Sequence, residues 1–264
     1  MEFIKHKGIK IAVNIDGRGE NVFLVSGLGG RASFWKNTIP TLEKSFTVVS
    51  HDHRGCGKSS RAKIVYSIKQ MSKDVLTIMD QLSIKKIHFV GHSTGGAIGQ
   101  FIAIHYPEKI NKLVLSSSWA GPNPYFLNLF QSRRNILNQG NAELYLSDGI
   151  LRSYPPKYLS KNPEIISSTT AERLEMFPGV EIEDSRINAV LEHDLRAEIH
   201  KIKHKTLVIC ASDDQITPVE LSEELAETIP NTEKRILPFG GHFTPHTVAK
   251  KYNDCILQFL KNES

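Results

Sequence analysis

Cysteine is scarce in this chain: three residues among 264, Cys56, Cys210 and Cys255, widely spaced and odd in number. No Cys-x-x-Cys pair occurs, which argues against a structural zinc site, a dithiol redox centre or a disulfide scaffold, and no metal is expected. Long apolar runs are missing as well. None approaches the roughly 18 residues that a membrane span requires, and the opening MEFIKHKGIKIAV holds no apolar signal core. A cytoplasmic protein without a membrane partner is therefore expected. Excess charge is modest, 33 Lys plus Arg against 28 Asp plus Glu, a net +5. The lysines fall in scattered pairs (Lys85 and Lys86, Lys201 and Lys203, Lys250 and Lys251) without interleaved aromatics, so no nucleic-acid partner is expected. Solvated surface is the main reading of these charges, and a preference for small anions the lesser one. Repeats and low-complexity tracts are absent, and 40% hydrophobic residues suit a globular core.

What is present is alternation. Residues 3–5 and 9–15 read as a β-hairpin leading into a buried strand at 22–25. A helix near 34–42, strand 46–50, helix 68–82, strand 86–90, a helix from 96 to about 106 and strand 110–115 follow. Val75, Ile78, Met79 and Leu82 recur at i, i+3, i+4 and i+7, a stripe that lays its helix on a sheet. This alternation predicts an α/β fold, a mostly parallel, eight-stranded sheet wrapped by helices. Between 122 and 200 the pattern breaks into short helical stretches with Pro122, Pro124, Pro155, Pro156, Pro163 and Pro178. That interval reads as an inserted helical cap, dividing the core into residues 1–121 and 201–264. Strand 206–211, helix 219–229, strand 233–237 and a last helix 248–260 resume the pattern.

Strand 87–90 runs into Gly91-His92-Ser93-Thr94-Gly95-Gly96 and then a helix, a Gly-x-Ser-x-Gly motif in the strand-turn-helix setting of a nucleophile elbow. A serine on so tight a turn takes a strained backbone, and flanking glycines let the neighbouring strand and helix come close. A plain Gly-rich turn would explain the glycines but not the loops further on. A serine hydroxyl needs a base, and the imidazole needs a carboxylate to fix its tautomer. Asp213-Asp214 follow strand 206–211 and Gly240-Gly241-His242 follow strand 233–237, giving the order Ser, Asp, His. Asp213, nearer the strand end, is the lesser candidate for the acid. Among 11 histidines, His242 sits where it can fold back over the sheet edge, and His246 is its nearest rival. Two main-chain amides are expected to face a developing oxyanion: Thr94, after the serine, and Leu28, in the loop after strand 22–25.

Two other motifs compete. Gly27-Leu28-Gly29-Gly30-Arg31-Ala32 after a strand, with Asp52 about 20 residues on, mimics a dinucleotide fingerprint. It would leave the serine, aspartate and histidine loops unexplained, so an NAD-dependent oxidoreductase is the weaker reading. Arg54-Gly55-Cys56-Gly57-Lys58-Ser59 ends like a phosphate-binding loop, but Asp52 stands where the first glycine is required. It reads as a tight structural connection.

Together these segments resemble the α/β-hydrolase superfamily along nearly the whole chain: Ser-Gly-Leu-Gly-Gly with Trp35, Asp52 to Ser59, Gly91 to Gly96, and Asp214 to Pro218 with Gly241-His242. Within it, 25–35, 66–71, 209–214 and 238–242 look like the aminoacrylate hydrolases of pyrimidine utilisation and the 3-oxoadipate enol-lactonases; the cap is only loosely similar. The resemblance implies a cofactor-independent hydrolase of a small ester, enol-lactone, thioester or enamine-type metabolite. Ser93 would attack, His242 serve as base then acid, and Asp214, whose spacing to Pro218 matches the family pattern, orient it. Ser26 replaces a histidine common in relatives and leaves the Leu28 amide untouched. Trp119, Tyr125 and Phe126 are candidate substrate-binding walls, with lid-core packing as the equal alternative. Arg133 and Arg134 could pair with a substrate carboxylate, although solvated positions fit their polar surroundings better. A monomer or homodimer acting on a small molecule is expected; a ligand-binding signalling protein with the same triad and little turnover is the alternative.

Overall fold

The computed structural model describes residues 1–262, and its sheet begins with an antiparallel hairpin of β1 (Glu2–His6) and β2 (Ile9–Gly17). The turn between them, Lys7-Gly8, has positive φ at both residues, the backbone that a two-residue hairpin with twisted strands demands. β3 (Glu20–Val25), β4 (Phe46–His51), β5 (Ile87–His92), β6 (Ile110–Ser116), β7 (Lys205–Ala211) and β8 (Thr232–Leu237) complete the sheet. The order is β1-β2-β4-β3-β5-β6-β7-β8. β2 pairs antiparallel with β4, and every pairing from β4 to β8 is parallel.

Alternate residues of the strands feed two apolar layers, as a pleat of period two requires. Phe23, Val25, Val49, Phe89, Leu113 and Leu115 face α2 (Ile68–Gln81, after a short α1, Ile39–Leu42) and α3 (Thr94–His105). On the opposite face Val22, Leu24, Val48, Val90 and Val114 meet Tyr252, Ile256 and Phe259. The helix expected over 34–42 is broken instead into a 3-10 turn, Ala32–Trp35, and α1. Pro40 explains the break: it lacks an N–H and its ring would clash with the carbonyl one turn earlier, so it sits in the first turn of a new helix.

Between β6 and β7 the chain leaves the sheet for α4 (Pro124–Asn138), α5 (Ala142–Ser153), α6 (Pro156–Lys161), α7 (Glu164–Glu175) and α8 (Val180–Leu191). Arg196 closes the base of this excursion, donating to the Gly121 carbonyl at 2.5 Å and pairing with Glu224 at 2.5 Å. Glu224 belongs to α9 (Val219–Thr228); α10 (Thr244–Thr247) and α11 (Ala249–Lys261) end the chain. Among the described residues no helix is long and apolar enough to cross a membrane.

The chain runs from β3 to β4 on one side and then to β5 on the other. This reversal opens a crevice at the carboxyl ends of β3 and β5, where ligands of open α/β sheets settle.

Candidate active site

Ser93 directly follows β5 with φ 55° and ψ −119°, and α3 starts at the next residue. A non-glycine residue in this region is strained and persists only where its surroundings enforce it. They do so here. Ser93 N–H donates to the Ser116 carbonyl at 2.8 Å, and the Ser93 carbonyl accepts from Gly96 N–H at 2.8 Å and the Ser118 hydroxyl at 3.0 Å. A Cβ on Gly95 would overlap the Val25 carbonyl, and one on Gly91 the Gly95 backbone, so both motif glycines are required by contact. Gly27, on the loop after β3, lies so close that a Cβ there would sit 3.1 Å from the Ser93 Cβ. The two loops at the crevice are thereby pressed together.

Asp214 follows β7 and its carboxylate is wholly buried. It accepts from Ile216 N–H (2.8 Å), Thr217 N–H (3.0 Å) and the Thr217 hydroxyl (3.0 Å), and from His242 Nδ1 at 2.9 Å. Four donors offset the loss of hydration that burying the anion costs. A carboxylate can only accept, so Nδ1 carries the hydrogen and Nε2 keeps a free lone pair. Asp213 does something else: its Oδ1 accepts from Gly240 N–H (2.9 Å) and Gly241 N–H (2.8 Å), holding the loop that presents His242. The cap holds it too, since the Ser153 carbonyl of α5 accepts from His242 N–H at 3.0 Å.

His246 also lines the crevice, but its Nε2 has no partner and its ring packs on Phe34 at 4.9 Å. Burial, with the charge of Lys36, pushes it down to about 4. His92, 4.7 Å from the His242 ring, is held well below the usual imidazole range by burial and by its two histidine neighbours. Both are neutral at pH 7, so neither opposes a positive charge arising on His242.

The expected amide donors lie beside the serine. Leu28 lines the cavity and Thr94 is buried directly after Ser93; among the described residues neither N–H is given to an acceptor. The Leu28 carbonyl is held at 2.9 Å by the guanidinium of Arg186, a fully buried residue of α8 that also donates to the Arg54 carbonyl at 3.0 Å. A Cβ on Gly30 would come within 3.0 Å of that guanidinium, and Gly30 also needs its positive φ. After β3 the chain forms a 3-10 turn rather than a helix, so no helix N-terminus awaits a pyrophosphate. The segment 54–59 wraps the Asp52 carboxylate, which accepts from Ala32 N–H (2.8 Å) and Lys58 N–H (2.9 Å). Among the described residues no three His, Cys, Asp or Glu side chains are placed to hold a metal ion.

Ser93, His242, Leu28 and Ile216 on the sheet side and α4, α5 and α7 on the cap side enclose a cavity of about 190 Å³. This is smaller than the about 300–1,000 Å³ of drug-sized sites, and suits a small metabolite. The structure does not bring Trp119, Tyr125 and Phe126 to it. Trp119 and Phe126 are fully buried and pack on each other at 4.8 Å, while Tyr125 is exposed with its hydroxyl donating to the Gln215 carbonyl at 2.8 Å. The reason is local. Asn123 caps α4 by accepting from Phe126 N–H at 2.8 Å, which turns Phe126 inward onto Trp119; the cavity starts one turn later, at Phe130 and Arg133. Sequence reasoning missed Tyr145, Arg173 and Phe243 as lining residues. Gly149, a glycine inside a helical stretch, was the one local sign of crowding in the cap.

A mostly parallel sheet with a serine elbow at its switch point and a histidine-aspartate pair beside it defines an α/β protein of the hydrolase type. The alpha/beta hydrolase fold family model matches residues 20–247, and the chain belongs to that family. It is 34% identical over 244 residues, 92% of this chain and 91% of the relative, to a Caulobacter segnis protein named "Putative carbamate hydrolase RutD". Among solved structures, the enol-lactonase from Burkholderia xenovorans LB400 is similar at a TM-score of 0.90 and 26% identity, covering 99% of this chain and 100% of that one. A hydrolase from Pseudomonas aeruginosa PA01 is similar at a TM-score of 0.90 and 27% identity, over 99% and 98% of the two chains.

Proposed function

We propose that the chain is a serine hydrolase that needs no cofactor and cleaves a small ester, enol-lactone or carbamate bond. The observation that carries the reading is the His242 to Asp214 hydrogen bond at 2.9 Å in the wall of the cavity that the strained Ser93 also lines. The names of the relatives, a carbamate hydrolase and an enol-lactonase, supply the substrate classes. Ser93 Oγ adds to the acyl carbon as His242 Nε2 takes its proton, and the carbonyl oxygen becomes an oxyanion facing the Leu28 and Thr94 amides. The tetrahedral adduct collapses as His242 returns the proton to the leaving oxygen or nitrogen, forming an acyl-serine. Water, deprotonated by His242, then adds to that ester; the acid leaves, and Ser93 regains its proton.

A fluorophosphonate probe on the purified protein tests this reading. One label is expected on Ser93, lost in Ser93→Ala and reduced in His242→Ala, with turnover in a screen of small esters, enol-lactones and carbamates. An intact fold with neither labelling nor turnover would favour a ligand-binding protein instead.

A further inference from the structure

Gln100 is fully buried on α3 with Ala97, Ile98, Ile102 and Ala103, and nothing in the proposed reaction uses it. An amide in such apolar company is costly to bury unless its polar atoms are matched. Here they are. The Gln100 Nε2 donates to the Trp119 carbonyl at 3.0 Å and to the Ser118 hydroxyl at 3.3 Å, and its Oε1 lies 3.3 Å from His193 Nε2. A carbonyl can only accept, so the Trp119 contact fixes which way the amide faces. His193 must then carry its hydrogen on Nε2. The Ser118 hydroxyl in turn donates its hydrogen to the Ser93 carbonyl at 3.0 Å and accepts from Gln100 through a lone pair.

The result is one directed chain, His193 to Gln100 to Ser118 to the Ser93 carbonyl, with every donor pointing toward the nucleophile. Hydrogen bonds that run in one direction polarise one another, and they are stronger away from water. Ser118, Gln100 and His193 are all buried. Space is kept for the chain, since a Cβ on Gly96 would lie 2.5 Å from the Ser118 Oγ. Ser117, the residue before Ser118, has a positive φ of 47°, a second strained position beside that of Ser93.

The far end of the chain lies at the neck of the cap. Trp119 belongs to the segment by which the backbone leaves β6, and His193 to the segment by which it returns after α8. Their rings meet edge to face with centres 5.7 Å apart, and Leu195 N–H donates to the Ala120 carbonyl at 2.8 Å. His193 is neutral at pH 7, because burial lowers it to about 4.

We propose that Gln100, Ser118 and His193 are positioning residues for Ser93, linking the neck of the cap to the nucleophile's carbonyl and holding its strained backbone in the reactive geometry. The kinetic part of this statement rests on the hydrolase reading above; the part about the elbow does not.

Ser118→Ala removes one oxygen atom and leaves the Ser93 bonds to Ser116 and Gly96 in place. With p-nitrophenyl acetate its kcat is expected to fall about tenfold at little changed KM, because displacing an attacking atom costs rate rather than binding. Gln100→Met is expected to lose about as much, and the double variant no more than Ser118→Ala alone, since the amide acts through the hydroxyl. His193→Phe should also lower kcat, and His193→Gln, whose amide can still donate to Gln100, should restore most of it. Hydrogen exchange at residues 93–97, read by mass spectrometry, follows the elbow without turnover and is expected to be about tenfold faster in Ser118→Ala. Unchanged kcat in Ser118→Ala, or His193→Gln no better than His193→Phe, overturns the proposal whether or not Gln100→Met folds, as do additive losses in the double variant. Faster exchange in Ser118→Ala, in a protein that neither hydrolyses esters nor takes the fluorophosphonate label, would leave the support of the elbow standing and overturn the hydrolase reading.

Discussion

Adjacent aspartates with different partners separate the roles of two residues that are chemically alike. Asp214 holds His242 Nδ1, while Asp213 holds the Gly240 and Gly241 amides. Asp214→Asn presents an amide that favours the wrong imidazole tautomer, and kcat is expected to fall by about 10⁴. Asp213→Asn leaves the tautomer alone and loosens only the loop, so a loss of about tenfold is expected, with a lowered Tm. Kinetics of the two variants on one ester substrate check this, and the reverse order would exchange their roles. Replacing Ser93 or His242 by alanine should each cost nearly the whole effect of the triad, about 10⁶ in kcat in a comparable serine enzyme. The motif and its spacing made these residues legible, because the elbow is a local backbone requirement. The residues alone favoured Asp214 over Asp213 by its distance from the strand end and its spacing to Pro218, a narrow margin, since the two follow the same strand by three residues and two.

Elements meet around the serine at contacts that tolerate no extra atom. Gly95 lies where α3 passes over the end of β3, and its would-be Cβ overlaps the Val25 carbonyl. Because that obstacle is backbone, Gly95→Ala is expected to destabilise the fold by about 3 kcal/mol, readable in urea unfolding; an unchanged midpoint would show that the helix can shift freely. Arg186 ties α8 of the cap to the loops after β3 and β4 through the Leu28 and Arg54 carbonyls. Arg186→Met removes two charge-assisted donors from buried acceptors and is expected to cost about 3 kcal/mol. It should also lower kcat more than it raises KM, because the loop bearing the Leu28 amide loses its support. Tm and steady-state kinetics on the same preparation check both effects. Strand and helix periods predicted most elements of the core, and Pro40 accounts for the one expected helix that divides. The order in which α4 to α8 face the cavity carried no comparable signal. These helices carry polar residues on several sides, so the inward face of each depends on its neighbours.

At the scale of the molecule, buried histidines tie stability to pH. Burial lowers His51 to about 3, His193 to about 4 and His246 to about 4, against 6.5 when unburied. The unfolded chain therefore takes up protons below about pH 6.5 that the folded chain refuses until near pH 4. Stability is full above that window and falls as pH drops through it, by about 1.4 kcal/mol per histidine per pH unit. Tm is expected to be flat from pH 8 to 7 and to decline steeply from pH 6 to 4.5; a flat profile through the acid range would show that these rings are hydrated.

The chain by itself determined the parallel sheet, its hairpin start, the elbow at Ser93 and the downstream loops of the aspartate and histidine. Those features follow from period, glycine placement and strand ends, which are properties of neighbours in sequence. Only the folded molecule decided that Trp119 and Phe126 belong to the core, that Asp213 holds the loop bearing His242, and that Arg133 and Arg173 line the cavity. These depend on contacts between segments far apart in the chain, where the role of a side chain is set by what packing brings beside it.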